Sequence, residues 1–419
     1  MKKLHSLHAS VWIFAGVLLL GGCATVPHDE PLDEGATAFY APSTDAVDRN
    51  NGAVGLIGLN APSGQDFMAY GHRLAAQPIP FTVAEILKQR EAPNALAIKW
   101  NAERMNCWEE DYEPFDQDPK CAPIEEAVQT LRDNAELLRR YRLILTLPAA
   151  SGFMRARGAP SIAMARLIAV AIKVDLRQGR VEEAYRTWLD EYSFWRRMNS
   201  VGRTWMEVAM GLVSEGHALN GIESLLFRSP QLIDTHYDEL ISLLSPDGIA
   251  RFNIAGIMRA EYALMMQAYE VDKNRAAIFP NYITNRHYRF AQDMLELANK
   301  PASALIEKSA NRGDFLKPIE LNKINPQFLA STEFVYPSVS WASVELIKSM
   351  HNKNQLMALL SMRIRIFKEK VPESQIAAYL VAHAANMREL FTGEPMQWDQ
   401  NKRVLFFDSE IKSANEVRL

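Results

Sequence analysis

Two cysteines enclose a strongly acidic segment in the first third of the chain. The stretch from Asn106 to Cys121 reads NCWEEDYEPFDQDPKC, with six carboxylates and one lysine between Cys107 and Cys121. Thiolates are ligands for soft metal ions, carboxylates coordinate calcium, and two cysteines can instead pair as a disulfide. The residue types alone therefore leave three kinds of chemistry open.

Other residue types that support catalysis are present, but without the spacing that catalysis needs. Neither Pro62-Ser63-Gly64 nor Ala150-Ser151-Gly152 has the Gly-x-Ser-x-Gly form of a serine hydrolase elbow. Metal-dependent hydrolysis uses paired histidines at helical spacing. Here the histidines of the body stand singly, at His72, His217, His236, His287, His351 and His383. The sequence therefore assigns no catalytic residue and no metal ligand.

The pair Glu373-Ser374 resembles the Glu-Ser pair of lytic transglycosylases, in which the glutamate is the catalytic acid. A single carboxylate with a raised pKa can serve as both acid and base. That family has a Gly-Leu-Met-Gln segment shortly afterwards, whereas here the chain continues QIAAYLVAHAANMRELF. Pro372 in a first turn, with Glu373 at the positive end of the dipole, instead indicates the start of a helix.

The first residues, MKKLHSLHASVWIFAGVLLLGGCATVP, have the form of a secretory signal. Lys2 and Lys3 precede an apolar run that is too short to span a membrane comfortably. Leu20-Gly21-Gly22-Cys23 resembles the lipobox of bacterial lipoproteins. The resemblance implies cleavage after Gly22 and attachment of acyl chains such as palmitate to Cys23, which together give stable membrane anchoring. Ala24 rather than aspartate implies sorting to the outer membrane. The alternative is a signal peptide with an incidental cysteine.

Export from the cytoplasm would help to decide among the three kinds of chemistry that are open for the acidic segment. If Cys23 carries lipid, Cys107 and Cys121 are the two cysteines left in an oxidising compartment. A zinc site would need further ligands, yet no histidine lies between His72 and His217. The segment also has no glycine, which the helix-loop-helix calcium motif requires. We predict a disulfide between Cys107 and Cys121, worth roughly 3 kcal/mol, and assign no role to the acidic residues.

The composition of the chain is that of an ordinary globular protein. Apolar residues make up 48% and aromatic residues 9% of the 419 residues, and the formal net charge is −4. There is no basic run and no stripe of lysine and arginine interleaved with aromatic residues, which argues against nucleic acid as a partner. No later segment approaches about 18 uninterrupted apolar residues, so membrane attachment would rest on the lipid.

The predicted fold class is mainly α. We expect antiparallel helical hairpins with solenoid-like packing, followed by a small C-terminal β-hairpin. The sequence divides into a lipoprotein signal peptide (1–22), a flexible tether (23–51), an irregular N-terminal segment with the disulfide loop (52–122), a helical body (123–272), a connecting region interrupted by prolines (273–337), and the C-terminal helices with the β-hairpin (338–419).

Helical spacing of apolar residues is clearest in the body. A stripe from Ile124 to Leu145 predicts one helix that opens at Pro123 and stops before Pro148. The apolar stretch 161–178 predicts a buried helix that Gly179 ends. Further helices are expected over about 202–226, 231–244 and 248–272. By contrast, the glycine-rich residues 52–59 favour a short strand or an irregular segment.

Residues 167–197 resemble one tetratricopeptide repeat. Gly179 and Ala184 lie five residues apart across the turn, and Trp188 takes the position of the packing aromatic residue. Ile172 and Asp175 depart from the family pattern, no proline closes the unit, and the pattern does not recur about 34 residues later. The resemblance therefore implies a helical hairpin and not a repeat array.

Four aromatic residues cluster in this part of the sequence, at Trp188, Tyr192, Trp195 and Trp205. Aromatic side chains at helical spacing usually belong to a core, but the same residues also line binding grooves. The sequence leaves both interpretations open.

The C-terminal residues FTGEPMQWD, followed by RVLFFDS, resemble an element that recurs in bacterial envelope proteins. In that element a helix leads to a Phe-Thr-Gly-x-Pro turn and a short two-stranded ribbon. The resemblance covers residues 360–409 and implies a structural cap without known chemistry. Together with the opening GLIGLNAPSG, it points to a group of proteobacterial outer-membrane lipoproteins with no assigned function.

These observations predict a lipid-anchored protein of the outer membrane that faces the periplasm and acts as a non-catalytic helical binding or scaffold module. Its partners would be the membrane, through the lipid at Cys23, and another envelope protein or polymer. No cofactor is expected. The alternative is an envelope hydrolase that acts on a peptidoglycan-type polymer, with a carboxylate acid and base brought together only by the fold.

Overall fold

The computed structural model describes residues 31–41, 50–77, 94–105, 121–152, 160–246, 248–271, 280–305, 326–384, 387–408 and 416–419. Within these residues the protein is mainly α-helical with one small antiparallel sheet, as the predicted fold class has it. The helices are α1 (Glu34–Phe39), α2 (Gly52–Gly58), α3 (Phe67–Ala75), α4 (Ala102–Met105), α5 (Ile124–Asp133), α6 (Ala135–Leu145), α7 (Pro160–Arg177), α8 (Val181–Val201), α9 (Trp205–Arg228), α10 (Gln231–Leu244), α11 (Ile254–Val271), α12 (Pro280–Ala298), α13 (Pro326–Lys368) and α14 (Ile376–His383). The strands are β1 (Gln397–Asp399), β2 (Val404–Phe406) and β3 (Glu416–Arg418).

Helices α7, α8 and α9 form the centre of the fold and pack against one another. In the turn between α7 and α8, Gly179 has a φ of +76°, a conformation that suits glycine. Trp188, Tyr192 and Trp195 of α8 are fully buried, and Trp188 Nε1 donates to the carbonyl oxygen of Ala218 at 2.8 Å. Trp205 of α9 is buried as well, in the neighbouring core cluster, so the aromatic residues singled out in the sequence belong to the core.

The stripe from Ile124 to Leu145 forms two helices where the sequence predicts one. The break is at Asn134, whose side chain pairs with the backbone of Lys99: Asn134 Oδ1 accepts from Lys99 N at 2.9 Å, and Nδ2 donates to Lys99 O at 2.8 Å. A buried amide that satisfies a neighbouring extended backbone in this way competes with a continuous helix. α5 therefore ends at Asp133, and α6 starts as a separate helix at Ala135.

A single helix, α13, occupies much of the region in which the sequence predicts interruptions. It runs for 43 residues and continues through Pro337, where we predicted a break. Proline removes one N–H donor and disturbs one turn, but packing of the remaining turns can keep a helix continuous. α13 packs against α9, α10 and α12, and its residues Met357, Leu359 and Leu360 are fully buried.

Helix α2 is a further difference from the sequence prediction, which favoured a strand or an irregular segment. Its first turn is capped by Asn51, whose Oδ1 accepts a hydrogen bond from Val54 N at 3.0 Å. A Cβ on Gly58 would overlap the carbonyl oxygen of Phe67 in α3. The glycines therefore allow two short helices to approach backbone to backbone, and burial compensates for their low helix propensity.

Part of the predicted flexible tether is folded onto the body. Residues 31–41 contain α1, which packs against α12. Asp33 caps α1 by accepting from Gly35 N at 2.7 Å, and Ala36 is fully buried. The composition of this segment suggested a linker because it is rich in small and polar residues, but its few aromatic residues find partners on the body. Residues 23–30 and 42–49 lie outside the described part.

The C-terminal sheet has the order β1-β2-β3, with both pairs antiparallel. Trp398 is opposite Leu405, which in turn is opposite Val417. The β1-β2 hairpin confirms the prediction, and β3 adds a strand that the sequence did not suggest. Leu405 and Val417 are fully buried against the helices, so this sheet closes one side of the core.

Candidate functional site

An open groove with a volume of about 780 Å³ lies between α5, α6 and the C-terminal part of α7. Its floor is apolar and its rim carries guanidinium groups. The floor includes Val128, Leu131, Leu138, Ala171 and Val174, and the rim includes Arg132, Arg139, Arg142 and Arg180. We refer to this site as the arginine groove.

The groove is built from segments that are separate in sequence. α5 packs against α7 through a small buried cluster that contains Ala127, Val170 and Val174. After the break at Asn134, α6 packs against α7 as well as α8. Because α5 and α6 both pack on α7, their outer residues line a groove over it.

The arginines of the rim differ in their pairing. Arg180 Nε donates to Asp175 Oδ1 at 3.0 Å across the turn that follows α7. Arg132, Arg139 and Arg142 are exposed, and none of their guanidinium groups makes a hydrogen bond or ion pair with a residue that the structure describes. Three positive charges on one rim therefore create a local positive potential at the groove, although the whole chain is acidic.

Glu136 of α6 is close to these arginines but is engaged elsewhere. Its carboxylate accepts from Ser63 Oγ at 2.7 Å and from Arg140 Nη2 at 2.6 Å. The Ser63 hydroxyl, followed by the guanidinium groups of Arg140 and Arg139, holds the pKa of Glu136 below its usual range. Glu136 therefore stays ionised and offsets part of the charge of Arg139, while Arg132 and Arg142 keep theirs.

Arg140 on the same helix points into the protein. It is almost fully buried and donates to the carbonyl oxygens of Leu59, Ala61 and Pro62 at 3.0, 2.5 and 3.0 Å. This side chain fixes the loop after α2 to α6. The arginines of α6 thus divide between an interior structural role and the exposed rim of the groove.

A second cluster of charges is sealed inside the body. Arg251 donates two hydrogen bonds to the carboxylate of Glu215, at 2.8 and 3.1 Å, and Asn199 Nδ2 donates a third at 2.6 Å. Lys353 donates to the carbonyl oxygen of Leu212, and burial lowers the pKa of Lys353 to about 8. Glu215 is completely buried, so this network joins α8, α9 and α13 and gives a substrate no access.

Glu191 has the raised pKa that an acid catalyst needs, but it is not placed for catalysis. Burial raises the pKa of Glu191 to about 8, although the Tyr141 hydroxyl and Trp195 Nε1 both donate to Oε1 at 3.0 Å. The carboxyl group is therefore protonated at neutral pH. It lies in the core and does not line the arginine groove, so it contributes to packing.

Two of the three predicted modification residues lie outside the described part of the chain. Cys23 and Cys107 are both there, so the lipid attachment and the disulfide stay predictions. Cys121 is buried just before α5, and the next residue, Ala122, donates its N–H to Arg104 O at 2.9 Å. The acidic residues between the two cysteines are likewise not described.

The residues considered for hydrolysis do not come together. Glu373 is in an exposed 3₁₀ turn at the start of α14, with Oε1 3.5 Å from Arg403 Nε. His217 is in the middle of α9, where burial, and then the positive charges of Arg166 and Lys353, lower its pKa. His383 stacks on Tyr379 with ring centroids 4.2 Å apart. None of the three histidine or glutamate residues lines the arginine groove.

The described residues contain neither a candidate metal cluster nor a membrane-spanning helix. Among them no group of three or more histidine, cysteine, aspartate or glutamate residues is suited to hold a metal ion. None of the helices in the described ranges is both long enough and apolar enough to cross a membrane.

Analysis of the sequence did not find the arginine groove, because no basic run marks it. Arg132, Arg139 and Arg142 are seven and three residues apart, and the apolar residues Leu131, Leu138 and Leu143 precede or follow each of them. That alternation is the one local signal, and it resembles the exposed edge of any amphipathic helix. The alternation of arginine and leucine forms a groove only because the chain breaks between α5 and α6 and both helices pack on α7.

Other proteins provide no guide to the site. Comparison of the chain with protein-family models, with curated proteins and with solved structures gives no match.

Proposed function

We propose that this protein is a lipid-anchored envelope protein that faces the periplasm, and that its arginine groove binds an acidic, partly apolar segment of another envelope protein. The observation that carries the proposal is the combination of an apolar floor with three exposed arginines, of which only Arg139 has its charge partly offset by a described carboxylate, that of Glu136. Guanidinium groups bind carboxylates in a bidentate, directional way, and the floor offers area for apolar side chains.

The shape of the groove favours a protein segment over a lipid or small molecule. Sites for small ligands enclose most of the ligand surface, whereas the arginine groove is partly open to solvent. A helix or an extended peptide can lie in such a groove with apolar residues at regular intervals on the floor. Leu143 at the edge is 47% exposed, which is the arrangement expected where a partner covers it.

The proposed anchoring rests on the lipobox at Cys23. We expect Cys23→Ala to abolish incorporation of labelled palmitate and to move the protein from the membrane fraction to the soluble fraction. The wild-type chain, expressed with its own signal in a Gram-negative host, should carry the label. An unlabelled wild-type chain, or equal labelling of the variant, would show that the anchor is assigned wrongly.

The groove can be tested with a peptide of the required chemistry. We choose WEEDYEPFDQD, the sequence of residues 108–118, because it combines six carboxylates with three aromatic residues. The receptor is the full chain with those six carboxylates replaced by amides, so that its own segment cannot compete. The triple variant Arg132→Gln, Arg139→Gln, Arg142→Gln should weaken binding about tenfold or more, or about 1.4 kcal/mol, as measured by fluorescence anisotropy. Binding should also weaken as salt is added.

The matched control removes the same charge elsewhere. Arg186, Arg203 and Arg289 are exposed, and their replacement by glutamine should leave the affinity unchanged. Equal weakening by both triple variants, or no binding by any receptor, contradicts the proposal. If the peptide binds the neutralised chain but not the natural one, the groove is occupied by the chain's own acidic residues, and the proposal of a separate partner is wrong.

No observation on the described residues favours the hydrolase alternative. Asp175 is the one carboxylate that lines the arginine groove, and it is already paired with Arg180. A glycosidase of the common type needs two carboxyl groups that flank the bond to be cleaved. The binding function therefore has the better support.

A further inference from the structure

The N-terminal segment is held on the body by specific contacts at both of its ends. At the first end, Asn285 of α12 accepts from Asp33 N at 2.8 Å and donates to Pro31 O at 2.9 Å. At the other end, the Tyr40 hydroxyl is 2.5 Å from His287 Nδ1, and the Tyr40 ring stacks on Tyr262 with centroids 3.8 Å apart.

Between these ends the contacts continue along α1. Arg259 of α11 donates from Nε to the carbonyl oxygen of Phe39 at 2.8 Å and lies 4.9 Å from the centre of the Phe39 ring. Gly35 approaches Tyr288 so closely that a Cβ there would overlap the tyrosine hydroxyl. Phe39 also packs on the core cluster that α9, α11, α12 and α13 share. α1 is therefore an integral part of this face.

This docking shortens the link between the body and a lipid at Cys23. Pro31 is eight residue steps from Cys23, whereas Asn50, the next described residue after Ala41, is 27 steps away. At 3.3 to 3.6 Å per residue, eight steps reach at most about 29 Å, and 27 steps reach about 97 Å. With α1 docked, the face that holds Pro31 must stay close to the anchoring membrane.

We infer that the face formed by α1 and the adjoining parts of α11 and α12 lies against the surface of a phospholipid bilayer. The inference rests on the proposed lipid anchor at Cys23. Leu32, next to the point where the link begins, is 42% exposed. This leucine offers the interfacial region an apolar side chain. The docked α1 thus fixes which side of the body faces the membrane.

The experiment measures which residues touch lipid. The acylated full chain is placed in vesicles of phosphatidylethanolamine and phosphatidylglycerol that contain a phospholipid with a photoreactive headgroup, and lipid adducts are mapped by mass spectrometry. We expect adducts to concentrate on residues 31–41 and on α12. The reference is α10, whose buried residues belong to a different core cluster.

Two changes release the constraint in different ways. Tyr40→Ala with Asn285→Ala removes contacts at both ends of the segment, and a 20-residue Gly/Ser insertion after Asp29 lengthens the link while the fold is untouched. Because effective concentration falls roughly as the −3/2 power of linker length, lengthening from 8 to about 28 steps should reduce the excess of adducts on residues 31–41 and α12, relative to α10, by about six- to sevenfold. Tyr70→Ala, at a partly exposed tyrosine of α3, is the matched control and should leave the adduct pattern unchanged.

The outcomes separate the two ideas. If the wild-type chain does not remain with the vesicles, the lipid anchor is wrong and the proposed function fails with it. If the chain remains with the vesicles but adducts are spread evenly over the exposed surface, the anchor stands and the inferred orientation is overturned. The same holds if the insertion leaves the excess unchanged. Adducts between two protein chains in place of lipid adducts would identify the face as a contact between copies, which also overturns the inference.

Discussion

Replacement of Glu215 by glutamine is expected to lower the free energy of unfolding by about 3–5 kcal/mol, the range for breaking a buried ion pair. Glu215 is completely buried, and its carboxylate accepts two hydrogen bonds from Arg251. Glutamine has nearly the same shape, but it removes the negative charge that compensates Arg251 and the nearby Lys353. Arg251 would then lose the carboxylate that accepts both of these hydrogen bonds, and Lys353 would lose its attraction to the charge of Glu215. Urea unfolding followed by circular dichroism at pH 7 measures the change.

The control uses the same chemistry at the surface. Arg104 and Glu126 form an ion pair at 2.8 Å, with side chains 39% and 35% exposed. Glu126→Gln should cost less than about 1 kcal/mol, because water already screens this pair. Equal losses for the two variants would mean that burial does not set the strength of the Glu215 network.

Replacement of Glu191 by glutamine is expected to change how stability depends on pH. The ordinary pKa of glutamate is 4.5, and burial raises the pKa of Glu191 to about 8. Between these values the carboxyl group is ionised in the unfolded chain and protonated in the folded one. The contribution of this group to the free energy of unfolding of the wild-type protein is therefore complete below pH 4.5. It falls by about 1.4 kcal/mol per pH unit as the pH rises from 4.5 to about 8.

Glutamine does not titrate and can still accept hydrogen bonds from Tyr141 and Trp195. The stability of the Glu191→Gln variant relative to the wild type should therefore increase steadily from pH 5 to pH 8, as measured by urea unfolding at one-unit intervals. Glu183→Gln, at an exposed position in the first turn of α8, should give a curve parallel to the wild type. A parallel curve for Glu191→Gln as well would show that Glu191 is ionised in the folded protein.

Local sequence signals predicted the elements whose boundaries depend on local chemistry. The apolar stretch 161–178 became α7, and the expected helix 231–244 became α10 with the same limits. Gly179 marks the end of α7 and lies in the turn that follows, because a positive φ has a low conformational energy only for glycine. In such cases the apolar spacing and the terminating residue are both visible within about twenty positions of the sequence.

The remaining features depend on contacts between distant residues. The break at Asn134 requires the backbone of Lys99, which lies 35 residues earlier. The continuity of α13 through Pro337 requires its packing partners, and the docking of α1 requires Asn285, some 250 residues later. The arginine groove combines these difficulties, since it needs the break at Asn134 and the packing of α5 and α6 on α7. No local pattern in one sequence contains that information.

Helix α2 has a consequence for the order of events in folding. Three of its seven residues are glycine, and a helix so short and so glycine-rich has no tendency to form by itself. Its contacts come from α3 and α6, together with the hydrogen bond from Gly52 N to Pro148 O at 2.8 Å. We therefore expect α2 to assemble after those partners are in place. Changes in α2 should then alter the lifetime of the folded state, through the rate of unfolding, and leave the rate of folding nearly unchanged.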